Sequence, residues 1–406
     1  MDSCDLLIVG GGPAGSSCAW ALRSSGLRVV ILDKAVFPRN KVCGGWVTPQ
    51  VFETLHIDPH AYAPGRTLQP ICGFRVGSMG EGEVDVLYGH PVSYGIRRCE
   101  FDEYLLRRSG AEVREGVLIR SIERNGDGWL VNGDIKARML VGAGGHFCPV
   151  SRALGNSNAE VPVVAQEIEL EMTPGQAAAC SIAPEAPELY FCPDLQGYGW
   201  CFRKDNFLNI GLGRLDQRAL RGHVEGFLWF LHSTGKVAFS LPDRFPGHAY
   251  LLFGYSRRQL VAESTLLIGD AAGLAYEQSG EGIRPAVESG LLAAEVIREA
   301  EGQYSKERLA RYQDLLAERF GRKPSALEAI ARRLPRVLRN FAARQMLKSP
   351  SFCRQTVVDQ WFLHAGEPAL KINDDFPARQ NGQSVTQILN NPPSPAMAPV
   401  ASQERH

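Results

Sequence analysis

The sequence predicts an α/β protein in which helices cover a parallel sheet, with a second, β-rich domain and a helical C-terminal segment. Three observations support this fold class. An apolar strand, a glycine-rich turn and a helix follow one another at the N-terminus; a similar strand and helix return after residue 265; and alternating segments rich in aromatic residues lie between them. The length of 406 residues fits two or three domains of ordinary size.

The first elements form a β-α-β unit. Apolar runs at residues 6–9 and 28–33 flank a helical stretch from residue 13 to about residue 25. Short apolar strands on either side of a helix are typical of a parallel sheet that is buried on both faces. We therefore expect these strands to form the centre of the first sheet.

The turn after the first strand has the spacing Gly-x-Gly-x-x-Gly. Gly10 permits the tight turn, Gly12 lets the backbone approach a pyrophosphate, and Gly15 lets the helix pack closely on the strand. Asp33 ends the second strand, where a carboxylate can bind ribose hydroxyls. The pattern predicts a Rossmann-like, dinucleotide-binding domain, whereas an isolated glycine-rich turn would bind nothing. Three neighbours are further candidate cofactor-binding residues: Pro13, Ala14 and Lys34.

The later elements extend this pattern. Antiparallel hairpins are predicted over residues 73–86, a helix over 101–108, and short strands at 112–117, 130–131 and 139–142. Residues 163–253 have the alternation of strands, and a parallel-type strand at 266–270 leads to a helix over 282–300.

The predicted nucleotide-binding domain is therefore discontinuous, with residues 1–72, 97–160 and 255–300. The substrate domain comprises residues 73–96 and 161–254, and a helical region covers 301–375. Residues 376–406 are rich in proline and polar residues and are predicted to be a disordered tail.

Composition argues against several classes of function. Lys+Arg and Asp+Glu both number 44, so no net positive charge favours a nucleic-acid partner. Because the sequence has neither a run of about 18 apolar residues nor a signal peptide at its N-terminus, we expect a cytoplasmic protein. The ten cysteines form no Cys-x-x-Cys pair, so we predict no metal or iron–sulfur site.

A second glycine segment resembles a known family. Gly269-Asp270-Ala271-Ala272-Gly273, followed by Gly282 and Ile283, is similar to the second flavin motif of the flavoproteins related to para-hydroxybenzoate hydroxylase. The resemblance implies that Asp270 binds the ribityl chain of FAD and that the helix beginning at Gly282 points its positive N-terminus at the flavin. Arg98 stands in a segment similar to the family's Arg-x-x-Phe-Asp motif, which implies a further contact with FAD. The alternative is that Asp270 caps a helix.

Two further segments resemble the geranylgeranyl reductase branch of this family. Cys43-Gly44-Gly45 is similar to a stretch that lies beside the isoalloxazine in that branch, which makes Cys43 a candidate redox or proton-delivering thiol. The branch's Tyr-x-Trp-x-Phe-Pro signature, which implies a pocket for a prenyl chain, is matched at Tyr198, Trp200 and Phe202, although Arg203 replaces the proline. The alternatives are a cysteine that is merely small and an aromatic strand that is ordinary core.

The resemblance implies an FAD-dependent oxidoreductase that reduces C=C bonds of a prenyl or other apolar small molecule by hydride transfer from reduced flavin. Gly144 stands where hydroxylases of this fold carry an aspartate, and the electron donor stays open among NADPH, NADH and ferredoxin. The alternatives are an FAD-dependent monooxygenase (hydroxylase) or halogenase, for which Lys34 and Lys41 are positional candidates for a catalytic lysine, and a non-catalytic FAD- or lipid-binding carrier.

A basic amphipathic helix is predicted over residues 331–348, which contain no acidic residue. Its apolar residues fall at helical spacing: Leu334, Val337, Leu338 and Phe341. Such a helix suits peripheral contact with an anionic membrane. The alternative is a C-terminal helix that packs on the domain and exposes its charges to water.

Overall fold

The computed structural model describes residues 1–156, 160–216, 218–321 and 335–372. Residues Met1–Ile372 form one compact unit. A second unit, Asn373–His406, lies outside the described residues and contains the predicted tail at 376–406.

The strands of the described residues, in chain order, are β1 Asp2–Val9, β2 Val29–Leu32, β3 Trp46–Val47, β4 Leu68–Ile71, β5 Gly73–Ser78, β6 Glu83–Leu87, β7 Ser93–Ile96, β8 Glu112–Arg114, β9 Ile122–Asn125, β10 Gly128–Val131, β11 Ile135–Gly142, β12 Val163–Glu171, β13 Glu188–Phe191, β14 Gly197–Lys204, β15 Phe207–Arg214, β16 Gly247–Tyr250, β17 Val261–Ala262 and β18 Thr265–Leu267. The helices are α1 Pro13–Leu22, α2 Pro49–Thr54, α3 Pro59–Tyr62, α4 Arg98–Arg107, α5 Pro149–Ala153, α6 Pro174–Ala178, α7 Leu220–Ser233, α8 Ile283–Glu299, α9 Lys306–Leu309, α10 Arg311–Phe320, α11 Arg336–Met346 and α12 Pro350–Phe352. Short 3₁₀ turns lie at Phe253–Tyr255 and Gly269–Ala271, and a π-helix covers Cys353–Phe362.

An eight-stranded sheet is built around the N-terminal strand, in the order β17-β18-β11-β1-β2-β8, with the β9–β10 hairpin attached to β11. The strands from β18 to β8 run parallel. Leu6 and Leu7 of β1, which point to opposite faces, are both fully buried, as expected for a central strand that is covered on both faces. The predicted α/β fold class, with a parallel sheet at its centre, is confirmed.

The two helices that follow the glycine segments, α1 and α8, pack directly against each other. Gly290 of α8 allows this close approach, because a Cβ atom there would lie 2.3 Å from the carbonyl oxygen of Ala14. Every residue of α1 is buried, so this helix has neighbours on all sides. The N-termini of α1 and α8 are therefore held in a fixed relation to each other.

A seven-stranded sheet forms a second layer, in the order β16-β12-β15-β14-β13-β5-β6. Its neighbouring strands are antiparallel except β5 and β13, which are parallel. One face buries Ile168, Ile210 and Leu212 against Phe227 of α7. Side chains alternate between the two faces of a strand, so the residues next to these in sequence line the opposite face.

Helix α7 corrects the sequence analysis, which assigns residues 163–253 to strands. Its apolar residues Val224, Phe227 and Leu231 recur three and four positions apart and are buried. That spacing is typical of a helix with one buried face. The alternation of the neighbouring strands does not continue through this segment.

The strands of the two large sheets come from different parts of the chain. All strands of the eight-stranded sheet lie within residues 1–72, 97–160 and 255–300, and all strands of the seven-stranded sheet within 73–96 and 161–254. A small sheet of β3, β7 and β4 includes residues from both sets. The division into domains itself remains a prediction.

Several predicted boundaries move. Helix α1 ends at Leu22 rather than at residue 25, since the chain turns there and Gly26 adopts a φ of 80°. The strand predicted at 112–117 ends at Arg114. The strand predicted at 266–270 ends at Leu267, and the Gly269–Ala271 segment forms a 3₁₀ turn. Such shifts are expected because hydrophobic pattern determines the type of an element better than its ends.

The C-terminal part of the described chain is helical. Helix α11 covers the second half of the predicted basic helix, whose residues 331–334 lie outside the described residues. Leu338 and Phe341 are exposed, whereas Leu347 and Phe362 join the core under the seven-stranded sheet. Among the described residues, no helix has the length and apolar character needed to cross a membrane.

Candidate active site

A cavity of about 460 Å³ contains almost every site residue that the sequence singles out. It is lined by the first glycine turn, the start of α8, the Cys43 loop and the aromatic strand β14. Predicted residues on its wall are Gly10, Gly12, Pro13, Ala14, Asp33, Lys34, Cys43, Gly44, Gly45, Arg98, Asp270, Gly282, Ile283, Tyr198, Trp200 and Phe202. The other two, Gly15 and Gly269, lie behind the wall and shape its backbone.

Close backbone contacts require two glycines of the first turn, and a third glycine begins helix α1. Gly10 has a φ of 118°, and a Cβ atom there would lie 2.3 Å from the carbonyl oxygen of Ala143. A Cβ atom at Gly15 would lie 2.0 Å from the carbonyl oxygen of Gly10, so this glycine permits the close helix–strand packing. Gly12 is the N-cap of α1 and has no capping side chain, so the first amides of the helix are open to the cavity.

Asp33 holds the glycine turn in place. One carboxylate oxygen accepts a hydrogen bond from the backbone amide of Gly11 (2.8 Å), and the other accepts one from the amide of Ala35 (2.8 Å). Lys34 lies beside it on the cavity wall. The carboxylate therefore organises the loop, and its role toward a ribose remains a prediction.

The second glycine segment brings Asp270 into the cavity. Gly269 turns the chain with a φ of 59°, and its amide donates to Ser289 Oγ at 3.0 Å. The Asp270 carboxylate lies 3.2 Å from Lys41 Nζ and 3.4 Å from His248 Nε2. Burial alone would raise the pKa of Asp270, but Lys41 and His248 outweigh it and hold that pKa well below its usual range. Asp270 is therefore ionised at neutral pH.

His248 responds to the same surroundings in the opposite sense. Burial, and then the charge of Lys41, lower the pKa of His248 below its ordinary value, although Asp270 acts against them. The imidazole is therefore neutral at pH 7, and it faces the cavity next to Tyr250.

Arg98 stands at the start of α4 in a buried ion pair. Its Nε and Nη2 donate to the two carboxylate oxygens of Asp102, both at 2.8 Å, which is the strong bidentate geometry for this pair. Arg39 approaches the same carboxylate at 3.2 Å. Burial opposes the charge of Arg98, but Asp102 and the neighbouring Cys43 favour it and raise its pKa.

The Cys43-Gly44-Gly45 loop lies flat against strand β14. A Cβ atom at Gly44 would lie 3.2 Å from the Phe202 ring. Gly45 has a φ of 64°, and a Cβ atom there would lie 2.4 Å from Lys204 Nζ. The two glycines therefore let the backbone rest on the sheet, and they leave Cys43 on the cavity wall.

The three predicted aromatic residues of β14 point to one side, since they alternate along the strand. Trp200 and Phe202 are buried, and the hydroxyl of Tyr198 donates to the carbonyl of Ser279. Trp46 adds to this wall, with its ring 6.1 Å from that of Phe202. The cavity thus has an aromatic side opposite the glycine turns.

The sequence analysis missed several residues on the wall. They are Arg39, Trp46, Val117, Leu118, Ile119, Arg152, Ala165, His248 and Tyr250. Lys41, which it names only as a positional candidate for a halogenase lysine, faces Asp270. His248 and Tyr250 alternate along strand β16, which is the only signal that could have placed them on one face.

The glycine at the hydroxylase aspartate position, Gly144, also lines the cavity. A Cβ atom there would lie 3.3 Å from Cys148, so a larger residue would press on the loop before α5. Nearby, Arg258 lies against His146, and burial lowers the pKa of His146. His146 is therefore neutral at pH 7.

The shape and chemistry of the wall fit a flavin dinucleotide. Helices α1 and α8 both begin at glycines on the cavity wall, so two positive helix ends face one space. Asp270, an ionised acceptor, lies on the wall of the same cavity. Helix ends of this kind bind phosphates and anionic rings, and a carboxylate binds hydroxyls.

Comparison with known proteins supports the same conclusion. The sequence profile of the NAD(P)-binding Rossmann-like domain matches residues 8–66. A menaquinone reductase of Mycobacterium tuberculosis is 29% identical over 365 residues, which cover 83% of this chain and 84% of that protein. Digeranylgeranylglycerophospholipid reductase 1 of Methanothermobacter thermautotrophicus is 27% identical over 340 residues, which cover 78% and 83% of the two chains.

Solved structures show the same fold. A geranylgeranyl bacteriochlorophyll reductase-like protein of Thermoplasma acidophilum superposes with a TM-score of 0.67 at 21% identity, covering 86% of this chain and 88% of that one. The halogenase PltM in complex with phloroglucinol and FAD superposes with a TM-score of 0.61 at 19% identity, covering 78% and 74%.

Fold, cavity and relatives agree on the class: the protein is an oxidoreductase, similar to named reductases over most of its length and with the fold of FAD-binding enzymes. Within that class, the predicted resemblance to the geranylgeranyl reductase-like group is confirmed, since named reductases of that kind match most of the chain.

Proposed function

We propose that the protein uses FAD to reduce carbon–carbon double bonds of a prenyl or other apolar chain. The observation that carries this proposal is the placement of the Cys43 loop and the aromatic strand β14 on one cavity with the two glycine turns. An aromatic wall suits an apolar chain, because burying its surface is favourable without polar partners. The names of the relatives, which are reductases of prenylated molecules, point to the same substrate class.

The residues that would hold FAD follow from the wall. The amides of α1 at Gly12 and Ala14 would bind the pyrophosphate, and Asp270 would accept hydrogen bonds from the ribityl hydroxyls. The N-terminus of α8 at Gly282 would face the flavin ring. FAD, when bound and reduced, supplies a hydride to the substrate.

Cys43 would supply the proton that completes the reduction. Its thiol lies on the wall beside Arg98, between the glycine turns and the aromatic side. Trp200 and Phe202 would hold the apolar chain and exclude water from it. A positioned acid of this kind contributes a factor of about 10² to 10⁴ to a rate.

The experiment is an anaerobic one. Protein reduced in the absence of oxygen should be reoxidised by a geranylgeranyl lipid, and the product should gain two hydrogens at a double bond of the prenyl chain. The Cys43→Ser variant should retain FAD and slow this step about a hundredfold. Cys72→Ser, which alters a cysteine outside the cavity, should not change the rate.

A monooxygenase or halogenase is the alternative, and its support is the fold of the halogenase structures. Such an enzyme would stay reduced with the alkene until oxygen is admitted, and its product would gain oxygen or halogen. A carrier would not be reoxidised by the alkene, and oxygen would reoxidise its flavin without changing the alkene. Either result would overturn the proposal.

We further propose that the protein docks on an anionic membrane surface through α11. Leu338, Phe341 and Met346 are exposed at 57%, 63% and 47%, and they recur at helical spacing along one side of this helix. Arg344, in the last turn of the same helix, and Lys348, two residues beyond its end, are basic and both also pair with Glu81. Exposed apolar residues beside basic ones are typical of helices that lie in a membrane interface.

A further inference from the structure

A buried polar cluster lies behind the Cys43 loop, on the cavity-facing side of the seven-stranded sheet. Glu167 is 5% exposed and Asn209 is completely buried. They stand on neighbouring strands, with Glu167 opposite Gly211 and Asn209 opposite Glu169 in the antiparallel register. Neither side chain lines the cavity, and the proposed reaction uses neither of them.

The cluster binds the backbone of Cys43 from both sides. Asn209 Nδ2 donates to the carbonyl oxygen of Cys43 at 3.2 Å and accepts a hydrogen bond from Trp200 Nε1 at 2.7 Å. The Glu167 carboxyl lies against the Cys43 amide and the Asn209 side chain. Its Oε2 has no hydrogen-bond partner.

The basic residues around Glu167 are paired with other carboxylates and do not neutralise a negative charge on it. The neighbouring cation is Lys204, whose Nζ lies 2.7 Å from Glu169 Oε1 and is therefore already paired. Arg97 lies beyond, 3.3 Å from the same Glu169 carboxylate and 3.0 Å from Glu100. An ionised Glu167 would thus be a second negative charge in a buried site with one shared cation.

Burial, reinforced by the charge of Glu169 and only partly opposed by Lys204, the Cys43 amide and Asn209, raises the pKa of Glu167 to about 7. A carboxyl whose pKa is raised in the closed structure favours that structure while it is protonated. This stabilisation of the closed structure is complete at a pH below the pKa that the carboxyl has in water. It is lost as the pH rises through the higher pKa of the buried carboxyl.

We propose that Glu167 is a positioning residue that seats the Cys43 loop on the sheet when it is protonated and releases the loop when it ionises. The inference rests on the proposed function only in that Cys43 is the group that needs placing. The neutral carboxyl of Glu167 can remain buried without water against Trp200 and the Cys43 peptide. The ionised carboxylate is stabilised by the water that reaches it when the loop lifts. Asn209 holds the carbonyl of Cys43 while the loop is seated, and this hydrogen bond breaks when the loop lifts.

The test is alkylation of Cys43 in the FAD-loaded protein, read by peptide mass spectrometry at pH 5 to 8. Cys72 serves as the internal reference, since global unfolding would expose both thiols. We expect the Cys43 alkylation rate of the wild type, divided by that of Glu167→Gln, to rise about tenfold between pH 6 and pH 8 and to level off above pH 7. The ratio changes with pH because Glu167 ionises in the wild type, whereas the glutamine stays neutral throughout. Dividing the two rates removes the ionisation of the thiol itself.

The control is Glu188→Gln, which removes a carboxylate of similar burial from the opposite face of the same sheet. The wild-type alkylation rate of Cys43 divided by the rate of this variant should not change with pH. Asn209→Ala should speed Cys43 alkylation at every pH, by about fivefold for one lost buried hydrogen bond. A flat ratio for Glu167→Gln, or the same rise for Glu188→Gln, would overturn the inference. Alkylation needs no turnover, so failure of the reductase assay would leave this result intact.

Discussion

At the scale of single residues, the glycines and the acidic residue of the second motif were the positions best predicted from the sequence. Gly10 and Gly15 could be assigned because backbone contacts of 2.3 Å and 2.0 Å leave no room for a side chain, and such constraints recur wherever the same turn is built. The partners of Asp270 could not be predicted. Lys41 and His248 reach it from distant parts of the chain, and no local spacing encodes that meeting.

A substitution at Asp270 tests whether this residue binds the cofactor or caps a helix, the two roles that the sequence left open. The structure gives its carboxylate Lys41 and His248 as partners, and its side chain caps no helix. Asp270→Ala should therefore weaken FAD binding about thirtyfold, because a hydrogen bond to an ionised group is lost, while the melting temperature of the apoprotein changes little. FAD titration by fluorescence quenching measures the first quantity, and differential scanning calorimetry the second.

The matched control is Asp58→Ala. Asp58 is a true helix cap, since its carboxylate accepts the amide of His60 at 2.9 Å at the start of α3. Its loss should lower the melting temperature and leave FAD affinity unchanged. If Asp270→Ala behaved like Asp58→Ala, the assignment to the cofactor would be wrong.

At the scale of elements, the parallel strands and the long helix α8 were predictable because their apolar patterns are continuous and local. Helix α7 was not, and of the β9–β10 hairpin only the strand at 130–131 was predicted. The hairpin has exposed residues at Glu123 and Arg124, so it offers little apolar alternation to detect. The side of β14 that faces the cavity could be predicted from alternation, but the loop that covers it could not.

The contact between α1 and α8 gives a prediction about elements. Gly290→Val would place side-chain atoms against the Ala14 carbonyl and force the two helices apart. We expect a loss of about 1 to 3 kcal/mol in the free energy of unfolding and a lower FAD affinity, since both helix N-termini would move. Urea unfolding and FAD titration provide the two measurements.

Gly226 of α7 is the control for this substitution. It has nothing near its Cβ position, and Gly226→Ala should stabilise the protein by up to about 1 kcal/mol through helix propensity. Unchanged FAD affinity in Gly290→Val would show that the α1–α8 contact does not position the cavity.

At the scale of the whole molecule, the proposed membrane contact assigns one surface to the lipid. Leu338→Ser with Phe341→Ser removes two exposed apolar residues of α11, so it should reduce sedimentation with vesicles that contain anionic lipid by about tenfold. Activity toward a short, water-soluble alkene should be unchanged, because α11 contributes no residue to the cavity.

Trp229 is the control for general surface hydrophobicity. It is 72% exposed on α7, and Trp229→Ser should leave vesicle binding unchanged if α11 is the docking surface. Equal losses for the two variants, or none for the α11 variant, would contradict the proposal.

The interleaved strand order has a consequence for biosynthesis. Strand β5 is made early but pairs with β13, more than a hundred residues later, and β11 receives its partner β18 only when the chain reaches Thr265. Neither sheet can close on a ribosome that has made only the first half of the protein. Sheets that depend on such distant pairings form slowly and leave apolar edges open meanwhile. A nascent chain of this protein therefore keeps unpaired strand edges for most of its synthesis, and the cavity between the glycine turns and β14 is among the last parts to form.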